Sequence, residues 1–178
     1  CDKVLALPLA DYVSFISFIK YPFWTQNSYP VPDNWWKCQD YYNVPLEDFY
    51  QGIKDAIRQG YSVAIAGDVS EPGKYGPSDL AIVPSFDLPA SAINQDSREF
   101  RFYNRTSTDD HGLHLIGYKA MAGEDWFLIK DSAASAWKGA FAGYHFFRGD
   151  FIRLKILAFM VHKDGVNKLL DKYRRMQK

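Results

Sequence analysis

The feature that most constrains the fold is a pair of apolar segments joined by a short polar turn. Gly112–Met121 and Trp126–Lys130 are rich in aliphatic and aromatic residues, and Ala122-Gly123-Glu124-Asp125 lies between them. Two such runs joined by a short glycine-containing segment predict a β-hairpin. The start of one antiparallel strand and the end of its partner lie at the same end of the sheet. The sequence therefore predicts that His111 and Asp131 lie close together.

Composition excludes several classes of protein. The chain has 178 residues, of which 47% are hydrophobic and 17% aromatic, so it is not a disordered chain and can bury a core. Its 21 basic and 21 acidic side chains give a net charge of zero, which argues against nucleic acid as a partner held by charge. No apolar run reaches the roughly 18 residues of a membrane span, so no transmembrane segment is predicted.

Periodicity and turn residues predict an α+β domain. Helices are expected over residues 9–20, from Pro45 to Gly60, and over Val166–Met176, whereas residues 68–97 are expected to form a long loop. Besides the hairpin, strands are predicted around Trp35–Tyr42 and over Tyr61–Gly67, Glu99–Tyr103, Tyr144–Arg148 and Leu154–Val161. The strands are expected to form a largely antiparallel sheet that curls into a half-barrel with flanking helices.

His111 and Asp131 are the candidate site residues. A carboxylate at the end of the paired strand can accept a hydrogen bond from the imidazole and fix its tautomer. The alternatives are that His111 is structural and that Asp131-Ser132 only opens a turn. His114 is three residues further along the strand and points to the other face, so a zinc site shared by the two histidines is poorly supported.

A set of local motifs extends this interpretation. His111 is followed by Gly117-Tyr118, by Trp126-Phe127-Leu128-Ile129-Lys130-Asp131-Ser132 and by Gly143-Tyr144-His145-Phe146. Together with Asn43-Val44-Pro45-Leu46, the strand up to Val69 and the segment Leu157–Asp164, these motifs resemble the second half of papain-like cysteine peptidases. Within that clan, the chain is most similar to the bleomycin hydrolase and aminopeptidase C group. The resemblance covers roughly residues 43–166.

The resemblance implies roles for the two candidate residues. His111 matches the catalytic histidine, which forms a thiolate–imidazolium pair and later protonates the leaving amine. Asp131 takes the place of the orienting asparagine. Ala133 and Ala134 stand where the family has Trp-Gly, and the missing tryptophan normally shields the histidine–asparagine hydrogen bond. Trp137 is not expected to replace it.

The nucleophilic cysteine of that family has no counterpart here. The chain contains no glutamine followed six residues later by a cysteine. Cys38 precedes its nearest predicted helix and is interpreted as a buried, inert thiol among aromatic residues. Cys1 is interpreted as a fragment boundary, with an N-terminal nucleophile or a lipid-bearing residue as the alternatives.

The domain organisation follows from the resemblance. Residues 1–42 are an irregular aromatic-rich segment, residues 43–166 the His-bearing half of a papain-like peptidase, and residues 167–178 a basic C-terminal helix. The function implied is an aminopeptidase-like cysteine peptidase, which acts on a peptide substrate with an upstream or separate cysteine-bearing half as partner. Assembly into a homo-oligomer is also implied, and no cofactor or metal is. The compartment is left open between the cytoplasm, which the resemblance favours, and the bacterial cell envelope.

Two further functions stay open at this level. A catalytically inactive homologue could bind peptides, since Asp131, Ala133 and Ala134 replace the usual triplet. A glycan-binding module could use an aromatic platform. Its candidate residues are Trp24, Trp35, Trp36, Tyr41 and Tyr42, although such clusters more often belong to a core.

Overall fold

A computed structural model describes residues 8–70 and 72–177 of the chain. The described residues form one ten-stranded sheet and four α-helices. The strands are β1 Tyr12–Ile16, β2 Thr25–Asn27, β3 Tyr41–Asn43, β4 Val63–Gly67, β5 Lys74–Tyr75, β6 Leu80–Ala81, β7 His111–Met121, β8 Glu124–Lys130, β9 Tyr144–Arg148 and β10 Ile156–His162. The helices are α1 Leu46–Arg58, α2 Gln95–Tyr103, α3 Gly149–Lys155 and α4 Asn167–Met176.

The sheet is mainly antiparallel, as predicted. Its strand order is β2-β3-β1-β10-β4-β7-β8-β9-β6-β5. The pairs β1–β3 and β6–β9 are parallel, and the other seven pairs are antiparallel. The chain is therefore a mixed helix and sheet fold in which β4, β7, β8 and β9 lie side by side at its centre.

The main core lies between one face of this sheet and the helices α1 and α4. Phe159 of β10 stacks on Phe15 of β1 at 4.9 Å between ring centroids and meets Phe49 of α1 edge to face. Leu169 of α4 packs so closely on α1 that a Cβ on Gly52 would lie 2.7 Å from its side chain. The predicted helices around 45–60 and 166–176 are confirmed as α1 and α4. Each packs an apolar stripe against this core, and that burial stabilises the helix.

The hairpin between β7 and β8 is confirmed, with a shorter turn than predicted, since β8 begins at Glu124 and not at Trp126. Met121 pairs with Glu124, and Ala122 and Gly123 form a two-residue turn with φ of 53° and 81°. Turns with two positive φ angles match the right-handed twist of antiparallel strands, and glycine adopts such angles without strain. The pairing extends back to His114 and Lys130, which fixes the positions of the two strand ends.

The helix expected over residues 9–20 is wrong. Tyr12–Ile16 is strand β1, preceded by a short 3-10 turn at Leu9–Asp11. This strand pairs with β10 on one side and with β3 on the other. Its aromatic and β-branched residues suit a strand between two neighbours, and this tertiary pairing outweighs the weak helical spacing of its apolar residues.

The strand expected over Glu99–Tyr103 is also wrong, because these residues belong to helix α2. The helix begins with a capping box, in which Asn94 accepts from the Ser97 N–H and the Ser97 hydroxyl accepts from the Asn94 N–H. Arg98 of this helix is fully buried and donates to the backbone carbonyls of Arg153 and Leu157. The signal for this helix was the Asn94–Ser97 pair, which lies inside the segment interpreted as a loop.

Three other boundaries differ from the predictions. The segment 68–97 is not a continuous loop, because it contains β5, β6 and the start of α2. Within Trp35–Tyr42, only the last two residues belong to a strand. The strand predicted from Leu154 begins at Ile156, since the seven-residue helix α3 precedes it.

Two sequence expectations concern membranes and the chain start. None of the helices formed by residues 8–70 and 72–177 combines the length and apolar character that a bilayer crossing requires. Cys1 lies outside the described residues, so its interpretation stays a prediction. Cys38 is described, and it is half-buried with its Sγ 3.7 Å from Asp40, which corrects the expectation of a buried thiol.

Candidate active site

The structure brings His111 and Asp131 together at one end of the central strands. Nε2 of His111 lies 2.7 Å from Oδ1 of Asp131. His111 opens β7 opposite Gly67, the last residue of β4. Asp131 follows β8 directly, and its N–H donates to the carbonyl of Gly143 at 2.9 Å, just before β9. Three strand ends therefore hold the pair in place.

Asp131 is a buried carboxylate with several donors. Its Oδ1 also accepts from the N–H of Ala133 at 2.8 Å, and its Oδ2 accepts from Nζ of Lys74 at 2.8 Å. Burial alone would raise the pKa of this carboxyl, but the bonds from Lys74, Ala133 and His111 outweigh it and lower the pKa to about 2. Asp131 is therefore ionised throughout the neutral range.

This charge decides the tautomer of His111. A carboxylate can only accept hydrogen bonds, so the hydrogen of the short contact is carried by Nε2 of the imidazole. In the neutral ring, Nδ1 is then left with its lone pair. The His111 side chain is partly exposed, with 23% of its surface accessible. The arrangement can therefore take a proton at Nδ1 from a group that approaches from outside, and return it later.

Lys74 is a member of the site that the sequence did not reveal. It lies on the short strand β5, and its side chain is only 6% exposed. The chain reaches this position through Gly73, which has a φ of 111° and on which a Cβ would lie 2.0 Å from the carbonyl of Ile82. Only glycine can adopt this conformation at such close approach. The signal in the sequence was a lone lysine beside a glycine, within a segment predicted to be a loop.

His145 also belongs to this site. It lies in the motif of residues 143–146, but no role was predicted for it from the sequence. It lies on β9, is fully buried, and has Nε2 3.5 Å from Oδ2 of Asp131. Neither ring nitrogen makes a hydrogen bond with the residues described at 8–70 and 72–177. Burial lowers the pKa of His145, and the Lys74 cation acts in the same direction. Burial therefore favours the neutral form of His145, whose ring lies beside Asp131.

An acidic residue precedes the histidine. Burial raises the pKa of Asp109 to about 6, and the carboxylates of Asp33 and Asp110 act in the same direction. Asp110 accepts from the N–H of Val69, and its own N–H donates to the carbonyl of Gly67. These two bonds tie the start of β7 to the end of β4 and so fix the backbone that carries His111.

A groove of about 790 Å³ crosses the sheet face opposite the main core and ends beside Asp131. Its floor consists largely of small residues on neighbouring strands, and tyrosines and a tryptophan stand at its sides. The floor residues are Ala64, Ala66, Gly112 and Ala158; the side residues include Tyr29, Tyr41 and Trp137. His114 also lines this groove, and it alternates along β7 with Leu113 and Leu115, which belong to the main core.

The environment of the His111–Asp131 bond differs from that of the family which the sequence resembles. Ala133 and Ala134 provide no large ring at the positions of the family tryptophan and glycine. Trp137 lies against Gly143 and is 63% exposed. Within the described residues, no group of three or more histidine, cysteine or acidic side chains is arranged to hold a metal ion.

The aromatic residues proposed as a glycan platform do not share one surface. Trp24 and Tyr42 pack against the core, where both meet the ring of Tyr173. Trp35 and Trp36 form an edge-to-face pair and are both exposed, Trp35 by 79%. The core packing that the sequence favoured therefore holds for Trp24 and Tyr42, whereas the Trp35–Trp36 pair is largely exposed and Tyr41 is partly exposed.

Comparison with known proteins identifies a structural relative. No protein-family model matches the chain, and no curated protein sequence matches it. The chain is similar in structure to PepW from Lactobacillus rhamnosis HN001, with a TM-score of 0.71 and 16% sequence identity. The similarity covers 99% of this chain and 40% of the PepW chain. The chain thus has the fold of part of PepW and spans less than half of its length.

Proposed function

We propose that this chain is the His-bearing, half-barrel part of a papain-like cysteine peptidase of the bleomycin hydrolase and aminopeptidase C type. The observation that carries the proposal is the 2.7 Å contact between His111 and a buried, ionised Asp131 at the strand ends where the family places its histidine and orienting residue. The fold similarity to PepW, a bleomycin hydrolase and aminopeptidase C-like peptidase, supports a peptidase-like fold.

In this function, His111 acts as the general acid and base. Nδ1 takes the proton of a cysteine thiol, and the thiolate then attacks the carbonyl carbon of the scissile peptide bond. The imidazolium donates that proton to the leaving amine, and a water molecule, deprotonated by the same ring, hydrolyses the thioester. Asp131 keeps the ring in the required tautomer and orientation throughout.

The cysteine is supplied by a part of the protein that lies upstream of this chain or by a separate chain. The coverage of PepW is consistent with this division, because 60% of that chain lies outside the similarity. The groove offers a place for the missing part. Its floor of alanine and glycine residues allows a helix to approach closely. Asp131 lines the groove and contacts His111 at 2.7 Å, so the groove leads to the partner of the histidine.

The second candidate function is peptide binding by an inactive homologue. The observation that favours it is the groove itself, which is apolar on its floor, open to solvent and lined at one point by the ionised Asp131. An extended peptide could occupy the same surface that the first proposal assigns to the cysteine-bearing part. The two functions differ in whether a nucleophile is present near His111.

The test uses the natural protein with every segment that accompanies this chain. We expect hydrolysis of aminoacyl-coumarin substrates and labelling of one cysteine by a papain-directed epoxide. His111→Ala should lower kcat/KM by about 1000-fold or more, since it removes the group that activates the nucleophile. The matched control is His162→Ala. His162 ends β10 and its ring stacks on Tyr61, away from the His111–Asp131 pair. An equal loss of kcat/KM in both variants, or no epoxide-labelled cysteine in the wild-type protein, would contradict the peptidase function and favour peptide binding.

A further inference from the structure

The carboxylate that orients His111 is accompanied by a buried cation. Nζ of Lys74 lies 2.8 Å from Oδ2 of Asp131, and the side chains of the two residues are 6% and 0% exposed. The other carboxylate oxygen faces His111 at 2.7 Å. Lys74, Asp131 and His111 therefore form a continuous chain of contacts, with the carboxylate in the middle.

The carboxylate of Asp131 lies next to an imidazole, so any cation that contacts this carboxylate also changes the electrostatic environment of the ring. An isolated buried carboxylate beside an imidazole favours the protonated ring strongly, and an opposite charge within about 4–6 Å typically changes a pKa by 1–3 units. A ring that holds its proton too tightly is a poor base at neutral pH. A lysine in contact with the same carboxylate cancels most of its charge. What then faces His111 is a strong acceptor oxygen with little net charge.

We propose that Lys74 is a positioning residue that compensates the charge of Asp131, so that the buried ion pair presents His111 with the acceptor of a neutral orienting group. The inference deepens the proposed function and rests on it for its catalytic meaning. The ion pair itself exists whether or not the chain takes part in catalysis.

Among the titratable groups that the structure describes around Asp131, Lys74 is the cation in direct contact with the carboxylate. His145, with Nε2 3.5 Å from Oδ2 of Asp131, is buried, and this burial lowers its pKa and so disfavours a second cation beside the carboxylate. The nearby acidic groups on the chain before His111 are Asp109 and Asp110, and Asp110 is already bonded to the N–H of Val69.

The experiment is an NMR titration of the histidine rings in the whole natural protein. This chain contributes four histidines, so ring-selective ¹³C labelling with a His111→Gln spectrum for assignment identifies the His111 signal. The variants are Lys74→Met, Asp131→Asn and the double variant. Lys74→Gln is the matched control, since glutamine can still donate an N–H to Oδ2 but carries no charge.

The charge model makes a distinct prediction for each variant. Relative to wild type, the midpoint of the His111 titration should rise by about one pH unit or more in Lys74→Met and in Lys74→Gln. It should fall in Asp131→Asn, where the lysine charge is uncompensated, and return close to the wild-type midpoint in the double variant. A purely structural lysine would be replaced by glutamine without a change of midpoint.

The outcomes separate this inference from the proposed function. An unchanged midpoint in Lys74→Gln, or a double variant that fails to restore the wild-type midpoint, overturns the role of Lys74 even if the protein is an active peptidase. The predicted set of midpoints in a protein without peptidase activity supports the charge compensation and refutes the proposed function. If Lys74→Met does not fold, Lys74→Gln and the double variant still decide the question.

Discussion

Acid stability should depend strongly on Asp131. The pKa of this carboxyl is lowered from its ordinary value of 3.8 to about 2 in the folded protein. A group whose pKa is depressed by folding stabilises the native state above its unfolded pKa, and the stabilisation is lost as the pH falls through the folded pKa. The difference between the unfolded and the folded pKa corresponds to about 2.4 kcal/mol of free energy of unfolding. About 2 kcal/mol of this stabilisation is lost between pH 5.5 and pH 2. Asparagine at this position has no such titration.

The assay is urea unfolding followed by circular dichroism across this pH range, on the wild-type protein and Asp131→Asn. The difference in free energy of unfolding between the two proteins should narrow by about 2 kcal/mol as the pH falls from 5.5 to 2. The matched control is Asp171→Asn, which removes an exposed carboxylate paired with Arg174, and its difference from wild type should change by much less. A constant difference between wild type and Asp131→Asn would refute the reasoning, because the carboxylate would then gain nothing from its partners in the folded state.

Two further predictions concern the fold. Arg98→Met should destabilise the protein by about 3 kcal/mol or more in urea unfolding, because it leaves the buried carbonyl of Leu157 and the partly buried carbonyl of Arg153 without their donor. A loss below about 1 kcal/mol would contradict this. Gly67→Ala should cost about 1–3 kcal/mol, since its Cβ would lie 2.2 Å from the carbonyl oxygen of Lys155. Gly112→Ala, with no heavy atom within 4 Å of the new Cβ, should be neutral or slightly stabilising, and equal costs for the two alanines would refute the steric argument.

The contact between His111 and Asp131 could be predicted from the sequence because both residues lie next to one hairpin. The turn at Ala122 and Gly123 was sufficient to predict that both strand ends lie at the same end of the sheet. It did not predict the exact register there, because a bulge between Leu115 and Gly117 shifts the pairing by one residue. Local information was also sufficient to predict α1 and α4, whose apolar stripes are continuous along the sequence. Features that depend on short-range pairing were therefore predicted well.

The residues that surround this contact could not be predicted in the same way. Lys74 reaches Asp131 across 57 residues of chain, from a strand of two residues. Nothing in the local pattern of such a short strand distinguishes it from a loop. Strand β1 shows the same limitation, since its pairing with β10 joins Tyr12 to His162. Contacts over such separations depend on the whole topology and not on local propensity.

The aspartate at the orienting position and the lysine on β5 are best understood as one unit. Considered alone, Asp131 is a departure from the asparagine of the family that the sequence resembles, and it would place an uncompensated charge next to the imidazole. With Lys74 in contact, the same carboxylate keeps its acceptor oxygen for His111 and loses most of its net charge. A change at either position alone should therefore shift the titration midpoint of His111 more than a change at both positions. The conformation of Gly73, which only glycine adopts at that distance from Ile82, belongs to the same unit, because Gly73 directly precedes Lys74 and so helps to place its side chain beside Asp131.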